Sequence, residues 1–367
     1  MESTEREVQF KDAAKHYFSS LFIYGIILAF ISFCPVYNST IGNENFDYIT
    51  FFVLYYLLYV IIAPFIFFII KPKSLLQSKS VAVIEYFKRQ AKRTNSTEEF
   101  LNNIEPNEFE KQAFMSFFIK GFFGVSSVIL LCSNYLPSFG YNIDFLRVMF
   151  QQAQQYITTG DTGGGIIQYI IDTGDMWLKL IFTFTLIIYS ISYLTELDIF
   201  RNKIKSADTT PLGVFSCIIC YYPIIIFTNQ VLNLTEQSLL PVDNQNMLTA
   251  LYIIAIAANL FSLIAIIRLG TKAGNLTNRG IVTGFPYNII RHPDYSMQIC
   301  YIITTSIPLL LMPTEETGSK FFIILGILAW VYIYYLRAIT EERHLIKDEE
   351  YKKYVEKVKY RFIPKVI

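Results

Sequence analysis

Long apolar runs separated by shorter polar segments dominate this chain of 367 residues. A helix needs about 20 apolar residues to cross a hydrocarbon core that is about 30 Å thick. The pattern predicts eight such helices, at residues 17–37, 48–70, 113–136, 176–196, 211–228, 247–268, 296–312 and 321–340. We therefore expect an all-α, multi-pass integral membrane protein whose last two spans form a hairpin.

The placement of the basic residues supports these spans. Of the 31 lysines and arginines, 26 fall in the segments that would share one side of the membrane, at residues 1–16, 71–112, 197–210, 269–295 and 337–367. Only two fall in the opposite segments, at residues 38–47, 137–175, 229–246 and 313–320. Because positive segments stay on the cytosolic side, or on the matrix side in mitochondria, we expect both termini there.

Composition narrows the class further. Hydrophobic residues make up 53% of the chain, which is too many for an ordinary soluble domain. The net charge is +1, so nothing in it predicts a nucleic-acid partner. The first seven residues lack the basic region of a secretory signal, and we expect the first span to direct insertion itself. The endoplasmic reticulum and the mitochondrial inner membrane are the two expected locations.

Several local signals predict details of the fold. The inner loop 71–112 holds an apolar run beside basic residues, which indicates either an interfacial amphipathic helix or a solvated connector. Thr210 is a predicted helix cap, while Pro223 and Pro308 predict kinks in the fifth and seventh spans. Cys217 and Cys220 lie in an apolar span without a second ligand pair, so we expect packing and no metal.

The candidate chemistry begins in the loop before the seventh span, which reads Gly-Phe-Pro-Tyr-Asn-Ile-Ile-Arg-His-Pro-Asp-Tyr over residues 284–295. Arg291 is a permanent cation suited to a carboxylate or phosphate, and His292 can donate or accept a hydrogen bond. Tyr287 and Tyr295 offer flat faces for stacking on a heterocycle. The alternative is a plain interface loop, in which the arginine binds lipid phosphate and the tyrosines form an aromatic belt.

A charged tail follows the last span. Glu341 and Glu342 lie where the helix leaves the membrane, and carboxylates are costly there unless they are paired. An apolar stripe at helical spacing then predicts an amphipathic helix on the membrane surface; it consists of Tyr351, Tyr354, Val355 and Val358. The hairpin places this tail beside the loop 284–295. Two hypotheses follow: the groups form a cradle for a cofactor, or Glu341 and Arg291 form an ion pair that ties loop to tail.

Together the loop and tail resemble the isoprenylcysteine carboxyl methyltransferase and phospholipid methyltransferase superfamily, over about residues 200–367. These membrane enzymes have a Gly-x-Tyr-x-x-x-Arg-His-Pro-x-Tyr loop, a helical hairpin, then Glu-Glu-x-x-Leu and Tyr-x-x-Tyr before a terminal Ile-Pro. The matching positions are Tyr287, Arg291, His292, Pro293, Tyr295, Glu341, Glu342, Leu345, Tyr351, Tyr354, Ile363 and Pro364. Residues 1–199 form an N-terminal membrane region that resembles no family we can name.

The resemblance implies S-adenosylmethionine as cofactor and a lipid, or a lipidated or otherwise hydrophobic molecule, as methyl acceptor that enters from the bilayer. It implies that Tyr287, His292, Pro293, Tyr295 and Glu341 bind the cofactor. Arg291, Glu341 and Glu342 would be the catalytic residues, with Arg291 meeting a carboxylate. Membrane lipids, and other membrane-protein subunits, are the expected partners.

Three departures from the pattern leave two alternatives open. Ser296-Met297 replaces a Thr-Gly pair, the usual Phe-Gly before Tyr-x-x-Tyr is missing, and Gly284 is one residue farther from Arg291 than usual. A bulky Met297 would narrow a cofactor pocket, which favours a catalytically degenerate structural subunit of a larger membrane assembly. The other alternative is a sterol reductase that uses NADPH, although the Gly-Asp and Lys-Tyr-Gly of such enzymes are absent.

Overall fold

The computed structural model describes residues 7–34, 48–93, 105–132, 165–197, 200–232, 242–312 and 320–366, with a few isolated positions between them. Most of the outer loop 137–175 lies outside these residues. The chain divides into two compact units, residues 1–122 and 123–367. The resemblance predicts a different boundary, at residue 200, between the N-terminal region and the methyltransferase-like region. That boundary stays a prediction.

The first unit is built from helices. They are α1 (Phe10–Phe33), α2 (Tyr48–Pro64, extended by a π-helical segment Phe65–Ile70), a 3-10 turn (Lys73–Gln77), α3 (Lys79–Arg93) and α4 (Glu108–Ile119, extended by a π-helical segment Lys120–Gly124). Of the two alternatives for loop 71–112, a helix is present as α3, and its place at a membrane interface stays a prediction. Its Val83 is buried against Ile23 and Ala113, so the apolar face of α3 packs within this unit.

The second unit holds the remaining elements. They are α5 (Val125–Leu130), α6 (Gly165–Leu194), β1 (Ser206–Ala207), α7 (Pro211–Ile218), α8 (Ile224–Val231), α9 (Gln245–Leu269, followed by a 3-10 turn Gly270–Lys272), β2 (Thr277–Asn278), α10 (Pro293–Leu311), α11 (Lys320–Leu345) and α12 (Glu349–Lys357). The strands form an antiparallel pair in which Ser206 faces Asn278 and Ala207 faces Thr277. Local patterning gave no sign of this pair.

Six helical segments in the described part of the chain are long and apolar enough to cross a membrane. They are Phe10–Phe33, Tyr48–Ile70, Glu108–Leu130, Gly165–Leu194, Gln245–Lys272 and Lys320–Leu345. Each coincides with a predicted span, which confirms an all-α integral membrane protein. The predicted seventh span is the 19-residue helix α10, and the count of eight stays a prediction.

The predicted fifth span is broken. Thr210 caps α7 by accepting a hydrogen bond from the Gly213 amide at 3.3 Å, as the sequence predicts. The helix ends at Ile218, and α8 begins directly after Pro223. Proline has no N–H to donate and its ring crowds the preceding turn, so a break here has a local cause. Each of the two helices has only eight residues, too few to cross a membrane alone.

Close helix contacts hold the second unit together. The α6 and α9 helices approach at Gly174, which lies against the ring of Tyr252. A side chain at Gly326 in α11 would overlap the backbone carbonyl oxygen of Leu232. A third link is Asp294 at the start of α10, which accepts a hydrogen bond from Ser262 on α9. These contacts fix the positions of α9, α10 and α11, whose inner ends carry the candidate site.

The tail helix packs against the body of the second unit. Tyr351 and Tyr354 of the predicted stripe are buried and form a cluster with Tyr287 and Ala265. Asp348 caps α12 by accepting from the Glu350 amide at 2.9 Å. It also accepts from the Asn278 side chain at 2.8 Å. Asp348 lies in the short link between α11 and α12, where the usual Phe-Gly is missing. Its two hydrogen bonds therefore connect this link to α12 and to β2.

Candidate active site

Backbone hydrogen bonds join the loop 284–295 to the end of the chain. The amide of Arg291 donates to the carbonyl of Tyr360, and that of His292 donates to the carbonyl of Arg361, both at 2.9 Å. Pro293 begins α10 directly after His292, where a missing N–H costs nothing. The loop is therefore covered by the returning tail, and Arg291 and His292 are both buried.

Glu342 is the centre of an ionic cluster in this region. Its carboxylate accepts from Arg291 Nε at 2.8 Å, and from Arg291 Nη2 at 3.4 Å. It also accepts from Arg361 Nε at 3.0 Å, and its Oε1 lies 3.1 Å from His292 Nε2. The Glu342 side chain is 12% exposed and that of Arg291 6%, so the pair is largely shielded from water. Two arginines therefore share one shielded carboxylate.

All three nitrogens of Arg291 form hydrogen bonds within the described part of the chain. Besides Glu342, its Nη1 donates to the carbonyl oxygens of Val358 at 3.0 Å and Lys359 at 3.1 Å. The expected ion pair between loop and tail is present, but its acid is Glu342 and not Glu341. Successive helical residues point about 100° apart, so the two adjacent glutamates meet different groups of the loop.

Glu341 points to a different environment. Its Oε2 accepts a hydrogen bond from the Tyr295 hydroxyl at 2.7 Å, and lies 3.9 Å from His292 Nδ1. The rings of His292 and Tyr295 are stacked, with centroids 5.2 Å apart and planes inclined by 7°. The Glu341 side chain is 37% exposed. It forms no bond to arginine or lysine among the described residues, and it is therefore available to a ligand.

Two cavities meet at Glu341. The larger, which we call the cleft, has a volume of about 560 Å³ and is lined by Lys272, Arg279, Tyr287, His292, Glu341 and Tyr354 among others. The smaller, of about 290 Å³, is lined by Cys217, Tyr295, Arg337, Thr340, Glu341 and His344 among others. Both volumes include open solvent at the mouths of the pockets.

Tyrosines form one wall of the cleft. Tyr287, Tyr351 and Tyr354 line it, and the Tyr354 hydroxyl donates to the Tyr287 carbonyl at 2.7 Å. Burial raises the pKa of Tyr351 and of Tyr354 above the usual value, so both phenols stay neutral at physiological pH. Neutral aromatic faces of this kind suit a flat heterocycle.

Arg337 closes the smaller cavity from the side of α11. It is buried, and its Nη2 donates to the Asn275 side chain at 2.7 Å. Its guanidinium also lies over the rings of Tyr295 and Tyr334, at 4.6 and 5.2 Å from their centroids. Arginine commonly stacks on aromatic faces in this way. Arg337 thus supports Tyr295, which in turn holds Glu341.

The structure brings together every site residue predicted from the sequence, although in unequal surroundings. Tyr287, His292 and Glu341 line the cleft with Arg291, while Tyr295 lines only the smaller cavity. Met297, expected to narrow a cofactor pocket, lines neither of these two cavities. Sequence reasoning missed Lys272, Arg279 and Asn275, because an isolated polar residue in an inner loop carries no positional signal.

The segment that carries this site is similar to a known protein family. A phospholipid methyltransferase family model matches residues 246–353. The matched segment runs from α9 to α12 and contains the loop 284–295, both glutamates and most of the cleft wall. Comparisons with curated proteins and with solved structures found no match.

This match confirms the resemblance predicted from the sequence, since the phospholipid methyltransferase family is part of that superfamily. Residues 246–353 of this chain with its membrane-length apolar helices are therefore methyltransferase-like. Methyltransferases of this family generally use S-adenosylmethionine.

Proposed function

We propose that this protein is an S-adenosylmethionine-dependent methyltransferase that acts on a lipid or lipidated, hydrophobic acceptor within the membrane. The observation that carries the proposal is the cleft, in which Tyr287, His292 and Glu341 converge inside the family-matched segment. Its tyrosine wall and its uncommitted carboxylate fit a ligand that combines a heterocycle with polar groups.

The side chains divide into two roles in this proposal. Tyr287 and His292 contact the cofactor, and Glu341 contacts its amino or ribose groups. Tyr295 acts through its hydrogen bond to Glu341. Arg291, Glu342 and Pro293 are positioning residues, because the two charged side chains bond to each other and Pro293 begins the helix behind His292. This assignment moves Arg291 and Glu342 away from the direct catalytic role that the resemblance implies.

When bound, the cofactor supplies an electrophilic methyl group on a sulfonium. The protein's part is alignment and exclusion of water, and alignment alone is worth about 7–11 kcal/mol of barrier in well-oriented reactions. Glu341 lies on the wall of both cavities, so we expect the reacting atom of the acceptor close to it. A lipid-tailed acceptor enters sideways, between helices, with its tail in the bilayer.

Binding of S-adenosylhomocysteine to the purified protein, measured calorimetrically, tests the cofactor. We expect binding by the unaltered protein and a loss of at least tenfold in His292→Ala, with Lys353→Gln as a control on the exposed face of α12. Transfer of a labelled methyl group to a lipid extract tests the acceptor class. Absence of both binding and transfer would overturn the proposal.

The same preparation separates the two alternatives. A degenerate subunit would bind no S-adenosylhomocysteine and would co-purify in fixed ratio with other membrane proteins. A sterol reductase would bind NADPH in preference to S-adenosylhomocysteine.

A further inference from the structure

Arg279 lines the cleft and does not use all of its donors within the described structure. It follows β2 and is only 3% exposed. Its Nη1 donates to the Ser192 carbonyl at 2.6 Å, which ties the loop to α6. Its Nε and Nη2 are also buried, yet they have no hydrogen-bond partner in the described part of the chain.

Such an arrangement is costly. A buried donor without a partner costs about 1–3 kcal/mol, and more when it is charged. Burial lowers the pKa of Arg279 from its ordinary value, but a guanidinium still stays protonated at physiological pH. The carboxylate of Glu196 acts on Arg279 electrostatically, although it forms no ion pair with it among the described residues. Nε and Nη2 of Arg279 are therefore the two donors that an anionic ligand group would use.

A second cation lies close to Gly280, the residue that follows Arg279. Lys272 lines the same cleft, and its Nζ lies 3.1 Å from the position that a Cβ on Gly280 would occupy. Gly280 has φ of +102°, in the region that favours glycine. Because glycine has no Cβ, the ammonium group of Lys272 can lie close to the backbone at this position. Arg291, the other arginine of the cleft wall, is already neutralised by Glu342. Arg279 and Lys272 thus place two positive charges on the wall of the cleft, where Glu341 supplies a negative one.

We propose that Arg279 and Lys272 form a carboxylate-binding subsite that holds the amino-acid end of the cofactor. This inference rests on the proposed function. A planar carboxylate accepts two parallel hydrogen bonds from a guanidinium, and a neighbouring ammonium adds a point charge. The subsite fixes the end of the ligand that carries the sulfonium, while the tyrosine wall receives the adenine. The role that the resemblance gave to Arg291 then belongs to Arg279.

Two ligands that differ in the relevant group test this subsite. S-adenosylhomocysteine carries the carboxylate, and 5′-methylthioadenosine keeps the adenosine and thioether but lacks the amino-acid portion. Both dissociation constants are measured calorimetrically for the unaltered full-length protein, Arg279→Gln and Lys272→Gln. We expect the unaltered protein to bind S-adenosylhomocysteine at least tenfold more tightly. That preference should shrink tenfold or more in Arg279→Gln and severalfold in Lys272→Gln, while methylthioadenosine affinity changes less than threefold.

Each other outcome has a defined meaning. Unaltered protein that binds neither nucleoside overturns the proposed function together with this subsite. If the protein binds S-adenosylhomocysteine but both variants keep the full preference, the subsite is wrong and the proposed function stands. Should Arg279→Gln lose methylthioadenosine as well, its fold is damaged, and Lys272→Gln, whose side chain has no recorded hydrogen bond in the described structure, decides alone. Lys353→Gln is the control for a lost surface charge.

Discussion

Replacing Glu342 and Glu341 separately by glutamine tests the different roles of the two adjacent carboxylates. Glu342 binds two arginines and lies beside His292 in a shielded cluster, whereas Glu341 accepts one hydrogen bond from Tyr295. Glutamine keeps the size and one acceptor oxygen but removes the charge. Any difference between the variants therefore reports the electrostatic role of each carboxylate.

The structure sets the expected magnitudes. Removing one partner of a buried ion pair costs about 3–5 kcal/mol, because the other charge stays buried without compensation. Glu342 is 12% exposed, so we expect Glu342→Gln to approach the lower end, about 3 kcal/mol. Glu341 is 37% exposed and forms no pair with an arginine in the described chain. Losing its charge should cost below about 1 kcal/mol, the typical net worth of a hydrogen bond.

Thermal unfolding in detergent and S-adenosylhomocysteine affinity are measured side by side. Glu342→Gln should lower Tm by several degrees. Glu341→Gln should change Tm by no more than a degree or two, yet weaken binding at least tenfold. The double change Glu342→Gln/Arg291→Gln should regain part of the lost Tm, because the unpaired cation is then absent. Equal Tm losses for the two single variants, or unchanged binding in Glu341→Gln, would refute this division of roles.

Three further predictions concern packing, the pocket and pH. Gly326→Ala should cost at least about 1–3 kcal/mol through overpacking, seen as a lower Tm; Gly25→Ala, where a Cβ has ordinary contacts, is the control. Met297→Gly should leave S-adenosylhomocysteine affinity unchanged, and tighter binding would show that this side chain narrows the pocket after all. The hydrogen bond from Asn278 lowers the pKa of Asp348. The ionised Asp348 therefore stabilises the fold fully above the unfolded pKa of about 3.9, and this stabilisation is lost as pH falls through the lower pKa of the folded state. Asp348→Asn should accordingly reduce the fall of Tm at acid pH, measured as a profile of Tm against pH.

Hydropathy was sufficient to predict the membrane class and most helix positions. Spans depend on local apolar length, which a sequence displays directly, and six predicted spans have long apolar helices in the described structure. The break before Pro223 was foreseen only as a kink, because how far a helix parts at a proline depends on its neighbours. The β1–β2 pair went unpredicted, since two-residue strands have no periodicity and form only when residues about 70 positions apart meet.

The candidate site was predictable in outline only. The loop 284–295 and the tail were expected to meet because a helical hairpin brings their inner ends together, and backbone hydrogen bonds join them. The pairing of individual side chains depends on the rotation of α11 about its axis and on the path of the tail. Local sequence predicts neither of these. Arg279 shows the same limit, because its unused donors become visible only once burial and every neighbour are known.

The adjacency of Glu341 and Glu342 has a physical explanation in this arrangement. In the proposed function, the site holds its cations in place without neutralising Glu341, the carboxylate that would meet the cofactor. Because neighbouring helical positions diverge by about 100°, one residue can face the arginines of the loop and tail while the next faces the cleft. Glu342 forms ion pairs with Arg291 and Arg361. Glu341 is thereby left free of arginine, held by Tyr295, and accessible from both cavities.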